Sequence, residues 1–235
     1  AGTLLNVTDP SQYFPKSNTL QLDSTADQWA DSEEMRAHSL YIDILDNELI
    51  GDLTVDGDTF TRQYPGTLPY DKSDDKVLAA SKLALSPGGT FRMQAFQNWT
   101  LGYYRSDAWL LLTNASAASL DDVLPAEFHH TLNNGVEMVT PRIHSFTNFF
   151  KAVGTTPTSW NIEELAQGDY TDFAVAGPND AALLGVVTTL TANVDFYALS
   201  TRQNINGNGM QITLRGGAFL INGTRTIQPD IIFGN

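Results

Sequence analysis

Short runs of β-branched and aromatic residues, cut every few positions by Gly, Asn, Asp or Pro, most constrain what this chain can become. Residues 40–45 alternate apolar and polar, and 48–55 resume after Asp46-Asn47. Val55-Asp56-Gly57-Asp58 reads as a hairpin turn, because Asp-Gly supplies the positive φ angles of a tight reversal, with 59–63 as the return strand. Further strands are expected over 76–85, 90–97, 100–104 and 109–113, with a slip near Ala95-Phe96 that suits a bulge. In the last third, 172–176, 183–192, 194–201, 211–215, 218–221 and 224–227 carry the densest β signal. There Asn222-Gly223 is the strongest hairpin signal of the chain.

Helical pattern is sparse. One helix is expected from Ser119, with Asp121 and Asp122 in its first turn, Pro125 accommodated early, and Asn133-Asn134-Gly135 as its stop. Residues 136–139 return to extended backbone, and a second short helix is expected over 160–166, ended by Gly168. More than eight strands against two short helices, with no evident repeat or linker, favour a jelly roll or sandwich over a βαβ layout. The expected fold is all-β: a jelly-roll β-barrel or sandwich occupying 1–235 as one unit, with room for a second small β-barrel inserted or stacked.

Charge narrows the partners. The chain holds 27 acidic and 13 basic residues, net −14, of which 20 are Asp and only 5 are Lys. A surplus of Asp with little Lys suits saline surroundings, where salt screens the mutual repulsion of the carboxylates, and it also fits an ordinary acidic surface. No basic stripe is present to neutralise phosphates, so direct nucleic-acid binding is not expected. Only 17% of residues are charged, against about 25% in an average domain, which suits a surface that is polar but uncharged or one covered by neighbours. Cysteine is absent, removing disulfides and thiolate chemistry together. No apolar run approaches membrane-spanning length, and Ala1-Gly2-Thr3-Leu4-Leu5 has neither the basic start nor the apolar stretch of a secretory leader. The sequons at Asn6, Asn98, Asn114 and Asn222 are as frequent as chance provides in so Asn-, Ser- and Thr-rich a chain.

No cluster of residues spells out chemistry. His129 and His130 are adjacent, so their side chains point apart, while His38 and His144 lie far along the chain. Glu127 with Glu137, or Glu163 with Glu164, supply the residue types of a glycoside-hydrolysing pair, but sequence gives no separation. Asp52, Asp56 and Asp58 around Gly57 lack the closing Glu of a calcium loop, and Asp71, Asp74 and Asp75 form a similar acidic loop. Trp99, Tyr103, Tyr104 and Trp109 suit a sugar platform or a core. No nucleophile elbow or phosphate-cradling loop is present. Catalytic residues are therefore expected to be none, cofactors none apart from loosely held cations, and a metal site stays open.

In length, Asp-rich and Lys-poor composition, lack of cysteine and strand rhythm, the whole chain resembles the major capsid proteins of icosahedral haloarchaeal viruses with an internal membrane, the larger of the two kinds. That resemblance rests on no diagnostic motif and transfers no site residue. It implies a single-β-barrel subunit packed side by side with a related capsid protein in a virion shell, close to an internal membrane or a membrane protein. Two other classes fit the same residues: a carbohydrate- or receptor-binding β-sandwich, spike- or lectin-like, and a polysaccharide-active jelly-roll enzyme.

Overall fold

A computed structural model describes residues 19–22, 35–37, 41–44, 48–55, 58–63, 78–87, 89–95, 109–145 and 148–234. In chain order its strands are β1 (Thr19–Leu22), β2 (Met35–Ala37), β3 (Tyr41–Ile44), β4 (Glu48–Val55), β5 (Asp58–Gln63), β6 (Leu78–Leu85), β7 (Thr90–Ala95) and β8 (Trp109–Thr113). Then come β9 (His129–Thr131), β10 (Glu137–Val139), β11 (Ile143–His144), β12 (Phe150–Thr156), β13 (Ser159–Glu164), β14 (Thr171–Asp172) and β15 (Ala181–Leu184). The last are β16 (Thr188–Thr189), β17 (Val194–Thr201), β18 (Ile205–Asn206), β19 (Gln211–Ile221) and β20 (Asp230–Phe233). The class is all-β with curled, sandwich-like sheets. The chain divides into two compact units: Ala1–Phe128 with Ala152–Glu164, and His129–Lys151 with Leu165–Asn235.

In the first unit the chain alternates between two sheets. β1, β3, β5 and β7 stack in parallel in one, and β2, β4, β6 and β8 in the other. A parallel pair needs a connection that carries the chain back to its starting end. Here the strand laid into the other sheet does this, so each coil deposits one strand in each layer. Register places Met35, Leu53 and Leu83 in one column and Ile50, Ala80 and Leu112 in another. Leu53, Ala80, Leu83 and Leu112 are buried, as are Phe91 and Met93 of β7 on either side of half-buried Arg92. The stack then changes direction, and β13 pairs antiparallel with β8.

This winding corrects the hairpin expected at Asp56-Gly57. The turn residues lie outside the described residues, but β4 pairs with β2 and β6, and β5 with β3 and β7. Turn-forming residues serve a link between two sheets as well as one within a sheet. The helix expected from Ser119 is instead a single 3-10 turn, Leu120–Asp122, followed by another at Ala126–Phe128. Asp122 Oδ2 accepts the backbone N–H groups of Ala118 and Ser119 at 2.8 and 2.9 Å, which closes the turn before Pro125. The helix expected over 160–166 is β13: Trp160 and Ile162 register with Leu112 and Leu110, and Ile162 is wholly buried. Only Gln167–Asp169 turns helically, as 3-10.

The second unit winds in the same way. β14, β15, β17, β19 and β20 form one parallel sheet. The pairs Ala181–Ala198 and Ala198–Ala218 space the coils by 17 and 20 residues. The return path of each coil is a short strand: β16 pairs in parallel with β18, and Ile205 bridges to Ile227. Asn222-Gly223 therefore turns the chain out of β19 toward the return path, and β19 pairs with β17 and β20. That corrects the second expected hairpin.

Alternation gives the main sheet two apolar faces. One holds Ala182, Leu184, Phe196, Leu199, Ile212 and Leu214, closed by Leu190, Ile205 and Phe173. The Phe173 and Phe196 rings meet tilted, with centroids 5.0 Å apart. The other face carries a column of Ala181, Ala198 and Ala218, small enough for Leu132, Met138, Phe149, Leu165 and Tyr170 to pack directly upon it. Burying each large side chain contributes roughly 1.5–3 kcal/mol. Among those partners, Leu132 and Met138 come from the β9–β10 hairpin, whose turn is the Asn133-Asn134-Gly135 segment expected to stop a helix.

Candidate functional site

The polar groups of the second unit gather around that hairpin. On β9, His129 and Thr131 share a face and His130 points the other way, as adjacent strand residues must. Register sets Glu137 opposite Thr131. His129 Nδ1 donates to Glu137 Oε1 at 2.7 Å, and the Thr131 hydroxyl donates to Oε2 at 2.7 Å, so both carboxylate oxygens are engaged.

His130 meets a different partner. Its ring stacks on Tyr197, centroids 3.9 Å apart and planes within 11°. An irregularity in the sheet aims Tyr197 there. Phe196 pairs with Leu214 and Ala198 with Ala218, so Tyr197 alone faces Arg215, Gly216 and Gly217. A Cβ at Gly216 would sit 2.9 Å from both the Tyr197 ring and its carbonyl oxygen, so only glycine lets the ring lie over that strand. Burial pushes the Tyr197 phenol up from its ordinary value. His130 Nε2 is buried with no hydrogen-bond partner.

A third centre is Asp180, buried at the entry to β15. Its carboxylate accepts from Asn133 Nδ2 (3.2 Å), Thr171 Oγ1 (3.1 Å) and the Gly177 N–H (2.9 Å). Its carbonyl accepts the N–H groups of Tyr197 and Ala198. Asp180 thereby ties the hairpin, β14 and the bulged strand together with neutral donors only. Lys151 Nζ pairs with Asp169 Oδ2 at 2.8 Å, and Arg215 clasps Asp195 with three contacts of 2.6 to 3.0 Å.

These arrangements are structural locks in geometry. Glu137 is spoken for by His129 and Thr131, while Glu127 is an exposed residue of the first unit. Glu163 and Glu164 are neighbours on β13 and so face opposite ways. His144 Nδ1 donates to the Ser145 carbonyl at 2.8 Å. Among the described residues no three His, Asp or Glu converge as metal ligands. His38, Asp56, Asp71, Asp74, Asp75, Trp99, Tyr103 and Tyr104 lie outside the described residues, as do the side chains of Asp52, Asp58 and Trp109.

The surface is more distinctive than the interior. Leu184, Thr201 and Ile221 are register partners, so the turns after them, 185–187, 202–204 and 222–226, stack along one corner of the coil. The Thr188 N–H donates to the Asn204 carbonyl, and the Thr226 N–H to Asn204 Oδ1, which fixes the three turns together. This corner exposes Val186 (71%), Val187 (57%) and Ile221 (44%). It also carries Arg202 and Arg225, which make no carboxylate contact among the described residues; Arg225 Nη1 donates to the Thr224 carbonyl. Beyond it, β20 pairs with β19 alone among the described strands and exposes Ile232 and Phe233. Sequence reasoning passed over Val186, Val187, Arg202 and Arg225 because nothing local distinguishes a corner from a core turn.

No family model matches the chain, and neither a curated protein nor a solved structure matches it.

Proposed function

We propose that the chain is a structural subunit that works through its surfaces, specifically a shell-forming capsid protein of a virion, packed side by side with copies of itself or a related subunit. The observation that carries this reading is the apolar corner of the second unit. Large side chains at 44 to 71% exposure, stacked on a rigid coil beside two arginines, are what a docking face requires and what an isolated soluble surface avoids. The partner such a face fits is acidic, and the first unit of the same protein is acidic: 21 acids and 8 bases, net −13. Assembly through carboxylate and guanidinium contacts depends on ionic strength.

The test is light-scattering mass stepped from molar salt to dilute buffer, for the native chain and for Val186→Glu. A defined multi-subunit species that the substitution abolishes supports the proposal. A monomer at every salt concentration contradicts it. A second reading, glycan or receptor binding, draws on the parallel coils, since stacked coils lay out extended faces for ligands. An affinity screen against glycans separates the two.

A further inference from the structure

The sequence contains four Asn-Gly pairs: Asn134-Gly135, Asn206-Gly207, Asn208-Gly209 and Asn222-Gly223. The pair is chemically labile because glycine has no Cβ to keep its amide nitrogen away from the preceding side chain. The glycine nitrogen attacks the asparagine Cγ, a proton leaves that nitrogen, and the side-chain nitrogen departs as ammonia. This leaves a five-membered succinimide. Water then opens the ring at either carbonyl, giving aspartate or isoaspartate. Attack requires a free glycine N–H and an asparagine side chain that can swing over it, so hydrogen bonds to either group hold the reaction back.

The four pairs divide sharply by that criterion. Asn134 is exposed but locked: its Nδ2 donates to the Asp169 carbonyl at 2.7 Å, its Oδ1 accepts the Val136 N–H, and the Gly135 N–H donates to the Leu132 carbonyl. Asn206 is locked at its nucleophile, since the Gly207 N–H donates to Gln228 Oε1 at 3.1 Å, and its Nδ2 reaches Thr189 Oγ1. Asn208 is exposed, and among the described residues neither its side chain nor the Gly209 N–H has a hydrogen-bond partner. At half-buried Asn222 the backbone N–H is held by the Thr201 carbonyl, but among the described residues the side chain and the Gly223 N–H have no partner. All four glycines hold positive φ, from +79° at Gly223 to +125° at Gly207, so backbone conformation does not separate the pairs and the hydrogen bonds do.

We propose that Asn208 and Asn222 are self-modification sites that deamidate in the folded protein, while Asn134 and Asn206 are protected by their hydrogen bonds. Exposure alone does not make this distinction, because Asn134 is as open to water as Asn208. Modification at both sites adds two carboxylates to a unit of net charge −1, and isoaspartate inserts a methylene into the turns of two successive coils. The carboxylate at position 222 would arise beside Arg225, whose guanidinium lies 3.5 Å from where a Cβ on Gly223 would stand.

The experiment incubates the full chain in mildly alkaline buffer, folded and in denaturant, and follows each Asn-Gly peptide by liquid chromatography and mass spectrometry. In denaturant the four sites react at similar rates, which supplies the internal reference. In the folded chain Asn208 and Asn222 outrun Asn134 and Asn206 by roughly tenfold or more, the factor expected for breaking one or two hydrogen bonds first. Gln228→Ala, which frees the Gly207 N–H, raises the rate at Asn206 toward that at Asn208. Equal native rates at all four sites, or no change at Asn206 in Gln228→Ala, would overturn the proposal.

Discussion

The two units wind strands in the same manner but are charged very differently. The second holds six acids (Glu137, Asp169, Asp172, Asp180, Asp195, Asp230) and five bases (Arg142, Lys151, Arg202, Arg215, Arg225), net −1. The first carries the remaining −13 of the chain's −14. One coil architecture is thus held under two regimes. In the second unit four of the six carboxylates are answered individually, Asp195 by Arg215, Asp169 by Lys151, Glu137 by His129 and Asp180 by three neutral donors. In the first, acids outnumber bases by 13, and added salt would screen the repulsion among them. The acidity that suggested a saline setting belongs to one half of the molecule.

If packing limits the second unit, the largest effects are in its core. Phe196→Ala removes a ring packed on Phe173 and is expected to cost about 3–5 kcal/mol, read as a lower denaturant midpoint at an unchanged slope. Asp180→Ala takes the buried acceptor away from the donors of Asn133, Thr171 and Gly177, at about 3 kcal/mol by the same measurement. Gly216→Ala forces a methyl against Tyr197 at 2.9 Å and is expected to cost about 2 kcal/mol, with loss of the His130–Tyr197 stack visible in ring-current shifts. All three losses should be nearly independent of salt. A strong salt dependence would erase the contrast between the units.

The smallest effect is in the first unit. The N–H groups of Ala118 and Ser119 hold the Asp122 carboxyl below its ordinary 3.8. A group whose value is lowered by folding adds stability above its unfolded value, and that stability is lost as pH falls through the folded value. The turn at Leu120–Asp122 should therefore loosen only in acid below 3.8. In Asp122→Asn this part of the acid sensitivity disappears. An NMR titration of Asp122 with a midpoint at or above 3.8 would contradict the account.

Strand positions were legible because alternation is a local property: 48–55, 109–113 and 194–201 coincide with β4, β8 and β17. Pairing was not. Asp56-Gly57 and Asn222-Gly223 announce turns, but the partner of each strand lies a whole coil away, 17 to 20 residues on in the second unit. Residues 160–166 read as helix because two glutamates follow an apolar pair, whereas the registration of Ile162 on Leu110 decides for strand. The separate runs at 211–215 and 218–221 are one strand, since Gly216 and Gly217 absorb an irregularity opposite Tyr197. The polar centres were illegible for the same reason: His130 and Tyr197, or Asn133 and Asp180, meet only through the winding.

The contrast between the units is tested most directly by hydrogen exchange with mass spectrometry on the intact chain, stepped from molar salt to dilute buffer. The account predicts that amides of β4 and β6 lose protection as salt is withdrawn while those of β17 and β19 hold theirs. Equal loss in both units, or loss confined to β17 and β19, would contradict it.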